Sequence, residues 1–419
     1  MRIAVVGTGI SGLAAAWLLD RQHDVHVYEG ADRLGGHTHT VHVDRDGRDP
    51  LPVDTGFIVY NEPTYPMLTR LFDELEVTTT ESDMSWSLRC DACDLEYAGT
   101  PRGLAAQPRN LADPRYARFV ADIVRFNRLG RRLAGDPRTR TTTIGHFTRA
   151  LGFSHEFTHH YLAPMAAAIW STGTGPVLEF PLGTLLTFFD NHGLLGVTTH
   201  HPWRTVEGGT STYIPKLTAP YRDRVRTGDP VVALARDPHG VDVRTVSGAQ
   251  DRFDHVVVAA HADEALAMLA DPTPREKELL GAWDYSVNDT WLHTDVRVLP
   301  RSRAAWASWN YRLTDCRSPE PAVSLSYWMN RLQPLDTDVD HVVTLNPDTP
   351  PAPGSVLRRM TYTHPGFTPE SVATQPVMGE IQGQRRTWYA GAYQRYGFHE
   401  DGLVSALRIA ARFGIRWGT

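Results

Sequence analysis

Residues 2 to 36 constrain the fold of this chain more than any other stretch. Arg2 to Val6 is a short run of β-favouring apolar residues. It leads directly into Gly7-Thr8-Gly9-Ile10-Ser11-Gly12 and then into LAAAWLLD, which has helical composition and periodicity. A second strand is predicted at Asp24 to Tyr28, ending on Glu29. In this order of strand, turn, helix, strand and acid, each glycine has a physical task. Gly7 permits the tight turn, Gly9 lets the backbone approach a pyrophosphate, and Gly12 lets helix and strand pack closely. Ile10 and Ser11 open a helix whose N–H groups and positive dipole end suit phosphates. Glu29 follows Gly7 by 22 residues, where the second strand delivers a carboxylate to an adenosine ribose. A lone glycine pattern of this kind is weak, but in this context it predicts a bound dinucleotide on a Rossmann-like α/β core.

Arg33-Leu34-Gly35-Gly36 follows the acid and makes a second basic, glycine-permitted pass near the ribose and phosphates. The compound pattern GxGxxG…E…RxGG resembles the FAD-binding amino terminus of the flavin amine oxidase, phytoene desaturase and protoporphyrinogen oxidase superfamily. The resemblance implies FAD, held non-covalently, and an amine oxidase-like two-domain fold: a Rossmann-like FAD-binding domain with an inserted α+β substrate domain. Many relatives carry arginine after the double glycine, where this chain has His37. Asp54-Thr55-Gly56-Phe57 resembles the pass that relatives make beside the flavin ring, which implies Gly56 and Phe57 as cofactor neighbours. The strand equivalent to Pro230-Val231-Val232 implies a backbone contact at Val231 to the adenosine end. Relatives close with a strand, a glycine, a loop and a helix over FAD. Trp388 to Ala392 and Gly402-Leu403-Val404 match that order, implying Gly391, Gly402 and the Leu403 N–H as further contacts.

Between these segments the pattern is mixed. From about 105 to 204 it predicts helices broken by glycine and proline, including an amphipathic helix in LADPRYARFVADIVRFNRLGRRL and a buried one in THHYLAPMAAAIW that Pro164 kinks or ends. Val206-Glu207-Gly208-Gly209-Thr210 precedes a helix with Tyr213 and Leu217. GDPVVALARDPHGVDVRTVSG alternates as a strand meander, and FDHVVVAAH is a buried strand. The expected division is a discontinuous FAD-binding domain at 1–75, 205–275 and 375–419, and a substrate-binding domain at 76–204 and 276–374. In the latter, Trp306, Trp309, Tyr311, Tyr327, Trp328 and Met329 crowd two strands, and alternation sends some of these side chains to the core and some to an apolar pocket.

A formal net charge of −6 gives no reason to expect nucleic acid. Three cysteines exclude a disulfide framework and fit a reducing compartment. The Cys90-Asp-Ala-Cys93 spacing is one half of a zinc site without a second pair, and the histidines at 155, 159 and 160 have no carboxylate pair in a recognisable pattern. The expectation is therefore no metal. A strand starts at residue 2 with no secretory segment before it, and no apolar run reaches a bilayer's width, so the expected location is cytoplasmic, compatible with transient contact at a membrane surface.

Chemistry turns on what meets the flavin. Many amine oxidases of the superfamily place a lysine beside it, on the strand that here falls near VNDTWLHTD. That segment has none, since lysine occurs only at Lys216 and Lys277. His293 and Asp295 are the polar residues in that place. His399 stands where relatives often put an aromatic cage residue, and its ordinary pKa suits proton transfer. The alternative is a helix-start hydrogen bond, with Glu400 or Asp401 as cap. Tyr393 and Tyr396 face either the ring or the core. The candidate catalytic residues are thus His399, His293 and Tyr396. Taken together, THTV, TGFIVYN, LHTD, AWASWNY and YGFHEDG resemble a bacterial subfamily of predicted FAD/NAD-binding oxidoreductases often encoded near cyclopropane fatty acid synthase-like enzymes. The resemblance implies an FAD-dependent dehydrogenase, desaturase or isomerase acting on a lipophilic substrate such as an unsaturated fatty acyl or isoprenoid-like chain, with O₂ or another electron acceptor. The alternatives are an amine or amino acid oxidase, and a binding protein on the same fold that does no chemistry.

Overall fold

The structure is a computed structural model that describes residues 1–196, 201–318, 320 and 322–417. The predicted helical region at 105–204 includes residues 197–200, which lie outside the described residues. Arg2–Val6 is the hub of a five-stranded parallel sheet. Asp24–Tyr28 pairs on one side of it and His255–Val258 on the other, with Val225–Arg226 and Thr387–Tyr389 at the two edges. The period-2 alternation of strands separates two layers. Ile3, Val5, Val25 and Val27 pack with Leu13, Leu403, Ala406 and Ile409 of the helices Ile10–Leu19 and His399–Arg412. Ala4, Val6, Val256 and Val258 pack with Leu234 and Val243 of an antiparallel meander, Val231–Asp237, Gly240–Thr245 and Gln250–Phe253. A sheet covered on both faces needs apolar residues at consecutive positions, which is why these strands read as continuous hydrophobic runs.

A buried ion pair joins the layers. The Arg236 guanidinium donates to both carboxylate oxygens of Glu276 at 2.6 and 3.0 Å and to Asp271 at 2.9 Å. The Tyr389 hydroxyl donates to the same Glu276 at 2.6 Å, and Thr273 closes a capping box with it. Strand Val231–Asp237, helix Pro274–Leu280 and the edge strand Thr387–Tyr389 thus share one carboxylate.

A second sheet of seven strands runs in the spatial order 356–365, 285–293, 342–345, 325–328, 309–313, 86–90 and 95–98. It is antiparallel except where Trp309–Leu313 meets Trp86–Cys90. Helices from 101 to 191 lie in the same part of the chain, among them Pro114–Leu133, whose buried side carries Phe119 and Phe126. Pro164 marks a break of helix type: the turn Thr158–Leu162 is a π-helix, and an α-helix resumes at Ala163. Proline at 164 has no N–H to offer the carbonyl of His160, four residues back. The Tyr97 hydroxyl donates to that carbonyl instead, at 2.7 Å.

Candidate active site

The turn after the opening strand is held by contacts that only glycine allows. Gly7 has φ +98, and a Cβ there would lie 2.6 Å from the Ala259 carbonyl oxygen. A Cβ on Gly12 would fall inside contact with the Gly7 carbonyl oxygen, so its task is to bring helix onto turn. Gly9 differs: a Cβ there meets no atom within 4 Å, because that side faces a cavity. Glu29 closes one end, accepting from the Thr8 N–H at 3.0 Å, the Thr8 hydroxyl, and the Ala31 N–H at 2.9 Å. Gly35 and Gly36 are both at positive φ and press the second pass against the first, with the Gly35 N–H donating to Thr8 O at 3.0 Å. Gly56 lies against His37, and the Phe57 N–H donates to the His37 carbonyl at 2.7 Å.

A buried carboxylate ties this frame to the double-glycine segment. Asp54 accepts from the Thr40 hydroxyl at 2.6 Å, from the Thr210 N–H at 2.9 Å, and from Gln333 Nε2 at 3.1 Å. Burial raises its pKa to about 6. Sequence reading named Asp54 only as the first residue of the pass beside the flavin ring. Its total burial and its place between four segments are what it missed.

Three imidazoles that burial keeps neutral line the cavity. His37 is lowered to about 4, first by desolvation and then by the charges of His261 and Arg33. His364 is held well below its ordinary value by burial and by His37. His399 is lowered to about 3 by burial. Its ring stacks on Phe57, with centroids 3.7 Å apart, and its Nε2 lies 3.0 Å from Thr38 Oγ1. A ring so weakly basic is a poor proton acceptor at neutral pH and a good fixed hydrogen-bonding group. The closing helix begins at His399 itself. Asp401 caps its loop, accepting from the N–H groups of Phe398 at 3.0 Å and Tyr396 at 3.2 Å. Glu400 instead reaches helix Pro66–Glu74, accepting from Met67 and Leu68 N–H at 3.1 and 2.9 Å. Glu400→Ala should therefore cost about 1–2 kcal/mol, the worth of a strong cap, as read by urea denaturation. An unchanged midpoint would remove the cap from the fold's accounts.

The cavity, of about 1360 Å³ in all, includes an apolar chamber. Its walls include Met84, Trp86, Ile123, Tyr161, Ile169, Trp309, Tyr327 and Phe367. Trp309 and Tyr327 meet edge to face at 5.0 Å. Trp306 and Trp328 pack together in a separate cluster with Val298 and Leu299, and Tyr311 and Met329 are core.

The residues expected from sequence divide clearly. Gly7, Gly9, Ile10, Ser11, Glu29, Gly35, Gly36, Gly56, Phe57, Val231, Gly391, Tyr396 and His399 all line this one cavity. Tyr393 lines it too, with most of its ring buried. Gly12, Arg33, Gly402 and Leu403 do not line it. The Arg33 guanidinium donates to the Thr38 carbonyl at 3.3 Å. A Cβ on Gly402 would stand 2.7 Å from Ser11 Oγ and 2.8 Å from Ile10 Cγ2, so that glycine lets the closing helix cross the opening one. His293 is also outside. It is fully buried in the seven-stranded sheet, with Nε2 2.8 Å from Thr344 Oγ1 and Nδ1 accepting from the Asp295 N–H at 3.1 Å. With both nitrogens engaged there, its place is structural. Asp295 is held by Arg297 at the same sheet's end.

A model of the flavin containing amine oxidoreductase family matches residues 10–342. The chain belongs to this family. It is accordingly a flavoprotein of an oxidoreductase family, with FAD as cofactor. In sequence the chain is also similar to flavin-containing amine oxidase A of Canis lupus familiaris, 44% identical over 81 residues, which cover 18% of this chain. The match spans only 14% of that relative's length. Two solved structures share the fold over 98 to 99% of both chains: a CLA-producing fatty acid isomerase from P. acnes (17% identity, TM-score 0.70) and cyclohexylamine oxidase from Brevibacterium oxydans IH-35A (17% identity, TM-score 0.69). The cradle fits the family's flavin. Gly9 leaves the space a pyrophosphate needs, Glu29 offers a carboxylate, and His37 Nε2 is a buried nitrogen with no partner among the described residues. Burial keeps His37 neutral, so it offers a neutral donor or acceptor there.

Proposed function

We propose that this flavoprotein is a dehydrogenase, desaturase or isomerase that acts on a lipophilic substrate, such as an unsaturated fatty acyl or isoprenoid-like chain. The observation that carries the reading is the chamber. Its walls are rings and aliphatic side chains, and desolvating an apolar chain against them is favourable by about 25 cal/mol per Å². An ammonium substrate finds less support there. Asp83, a carboxylate in the wall, is engaged by Arg331 at 3.1 Å and by Ser308 at 2.7 Å. Neither lysine is near: Lys216 Nζ donates to Leu75 and Glu76 carbonyls at 3.0 and 2.7 Å, and Lys277 is exposed on helix Pro274–Leu280.

Bound FAD supplies hydride acceptance at N5. The chain's own contribution would be position and exclusion of water. Gly7, Gly9, Gly35, Gly36 and Glu29 would hold the dinucleotide, and Gly56, Phe57 and Gly391 would shape the place of the ring. Val231 would meet the adenosine end. His399 and Tyr396 would stand at the junction of cradle and chamber. There a neutral imidazole orients rather than takes up a proton. The reading includes the domain division expected from sequence, 1–75, 205–275 and 375–419 for FAD and 76–204 and 276–374 for substrate. The parallel sheet lies wholly in the first set of segments and the seven-stranded sheet wholly in the second. O₂ or another acceptor would reoxidise the flavin unless the electrons return to the substrate.

An amine oxidase is the second reading, favoured by the sequence likeness to a flavin-containing amine oxidase. Anaerobic flavin absorbance separates the two. Bleaching by unsaturated fatty acids and not by amines is expected, or lipid conversion without lasting bleaching if the enzyme is an isomerase. Bleaching by amines alone would overturn the lipid reading. His399→Ala should retain flavin but slow its reduction at least roughly tenfold, about 1.4 kcal/mol, with no new ionisation in the pH profile between 5 and 9. Unchanged single-turnover reduction would return His399 to a purely structural place.

A further inference from the structure

All three cysteines of the chain meet at one point, together with one histidine. Cys90, Cys93, Cys316 and His160 each offer a ligand atom, and the four atoms lie within 4.8 Å of one another. Cys90 ends the strand Trp86–Cys90, and Cys93 follows it in the hairpin turn before Leu95–Ala98. Cys316 comes three residues after the strand Trp309–Leu313, which runs parallel to Trp86–Cys90 with Leu313 opposite Cys90. The Asp91 N–H donates to Leu313 O at 2.8 Å, so the ends of the two strands are locked together. His160 arrives from the other side, on the π-turn Thr158–Leu162.

We propose that this cluster is a structural zinc site with the ligand set Cys₃His. Three thiol sulfurs and an imidazole are the soft set that selects Zn²⁺ over the oxygen-seeking cations. Tetrahedral Zn²⁺ with its usual bond lengths sets ligand atoms about 3.5 to 3.8 Å apart. Cys93 Sγ and His160 Nε2 are 3.4 Å apart, and the whole set is close enough to draw in around one ion. Cys90, Cys316 and His160 are buried and Cys93 is exposed, so the site has a dry floor and one door for metal. The His160 Nδ1 has no hydrogen-bond partner among the described residues, so no other polar contact accounts for how its ring is turned. The backbone at His160 is prepared as well: Pro164 cannot satisfy its carbonyl and Tyr97 does.

Four protein ligands leave no open position, which makes the ion structural rather than catalytic. Its effect would be to clamp one wall of the chamber. Tyr161, next to His160, and Trp86 and Trp309, on the two strands that lead to the cysteines, all line that chamber. Binding releases thiol protons as the metal enters, so affinity falls as pH drops.

The flavin-loaded protein, purified without chelator, should carry about one zinc per chain by plasma mass spectrometry, as a closed four-ligand site requires. Cobalt exchanged for zinc should give thiolate charge-transfer and tetrahedral ligand-field bands, read as a difference from the zinc form so that flavin absorbance cancels. Cys316→Ser should lose the metal, and because that residue is buried the variant could fail to fold. Cys93→Ser is exposed and should fold, keep FAD, and bind zinc at least roughly tenfold more weakly in competition with a chelator. The proposal is overturned if the flavin-loaded protein holds no zinc and takes up none from a zinc-buffered solution. It is equally overturned by a native Cys90–Cys93 disulfide, or by Cys93→Ser binding zinc as tightly as the parent.

Discussion

Gly9→Val should yield a folded protein that cannot keep its flavin. The backbone at Gly9 is at φ −62, ψ 175, a conformation that valine adopts without strain. Its Cβ would touch nothing in the protein, and the added methyl groups would stand in the cavity where a pyrophosphate must approach. A loss of about 3 kcal/mol or more is expected, over a hundredfold in Kd, visible as a collapse of the 450-nm-type flavin absorbance relative to protein absorbance. Melting of the flavin-free variant should match that of the flavin-free parent. Gly12→Val provides the contrast, because a side chain there collides with the Gly7 carbonyl and Ala259 and should prevent folding altogether. A Gly9→Val protein that purifies fully loaded would sink the cradle assignment.

Removing one partner of the Arg236–Glu276 pair should be the most damaging change away from the cavity. Neither side chain has any exposure, and each satisfies the other through two hydrogen bonds. Arg236→Ala leaves Glu276 with the Tyr389 hydroxyl and Thr273 but no cation, and Glu276→Ala leaves the guanidinium with Asp271 as its one carboxylate and without the two bonds of the buried pair. Either should lose about 3–5 kcal/mol in urea denaturation followed by tryptophan fluorescence. Arg236→Met combined with Glu276→Leu should recover much of that loss, because the cost is an unpaired buried charge rather than the missing attraction. The pair also sets an acid limit. Arg236 and the hydroxyl and N–H donors around it hold Glu276 down at about 2 against burial, below its ordinary 4.5. Its contribution is fully present above pH 4.5 and is lost as pH falls towards 2. A Glu276→Gln protein should show a flatter acid denaturation over that window; an identical acid profile would mean that other carboxylates govern it.

What could be read from the sequence follows from which residues answer to backbone demands. Gly7, Gly35 and Gly36 need positive φ, and a sequence records that need directly as glycine. The buried strands of the parallel sheet were legible for a similar reason, since both faces are covered and the apolar run is continuous. Gly402 shows the limit. A glycine before a helix segment reads the same whether a phosphate or another helix comes close, and here it is the opening helix. His293 was named because it falls where relatives place a lysine, and a matched position on a strand does not say which face looks into a cavity; its partner Thr344 lies on a neighbouring strand. The Cys90–Cys93 spacing was set aside with the expectation of no metal, because no second pair follows it in sequence. His160 and Cys316, which join those two cysteines in space, lie 67 and 223 positions beyond Cys93, a meeting that only tertiary structure makes.

The parallel sheet also sets a timetable. Its central strand, Arg2–Val6, is made some 380 residues before its edge strand at Thr387–Tyr389 and the helix that crosses the opening one. At about 5–20 residues per second, a ribosome needs tens of seconds to pass from one to the other. During that interval the nascent chain displays a half-built sheet, and the part of the cavity wall that Gly391, Tyr396 and His399 supply has not yet been made. Loss of the segment from Thr387 through Arg412 would therefore be as harmful to flavin loading as a lesion in the opening glycines.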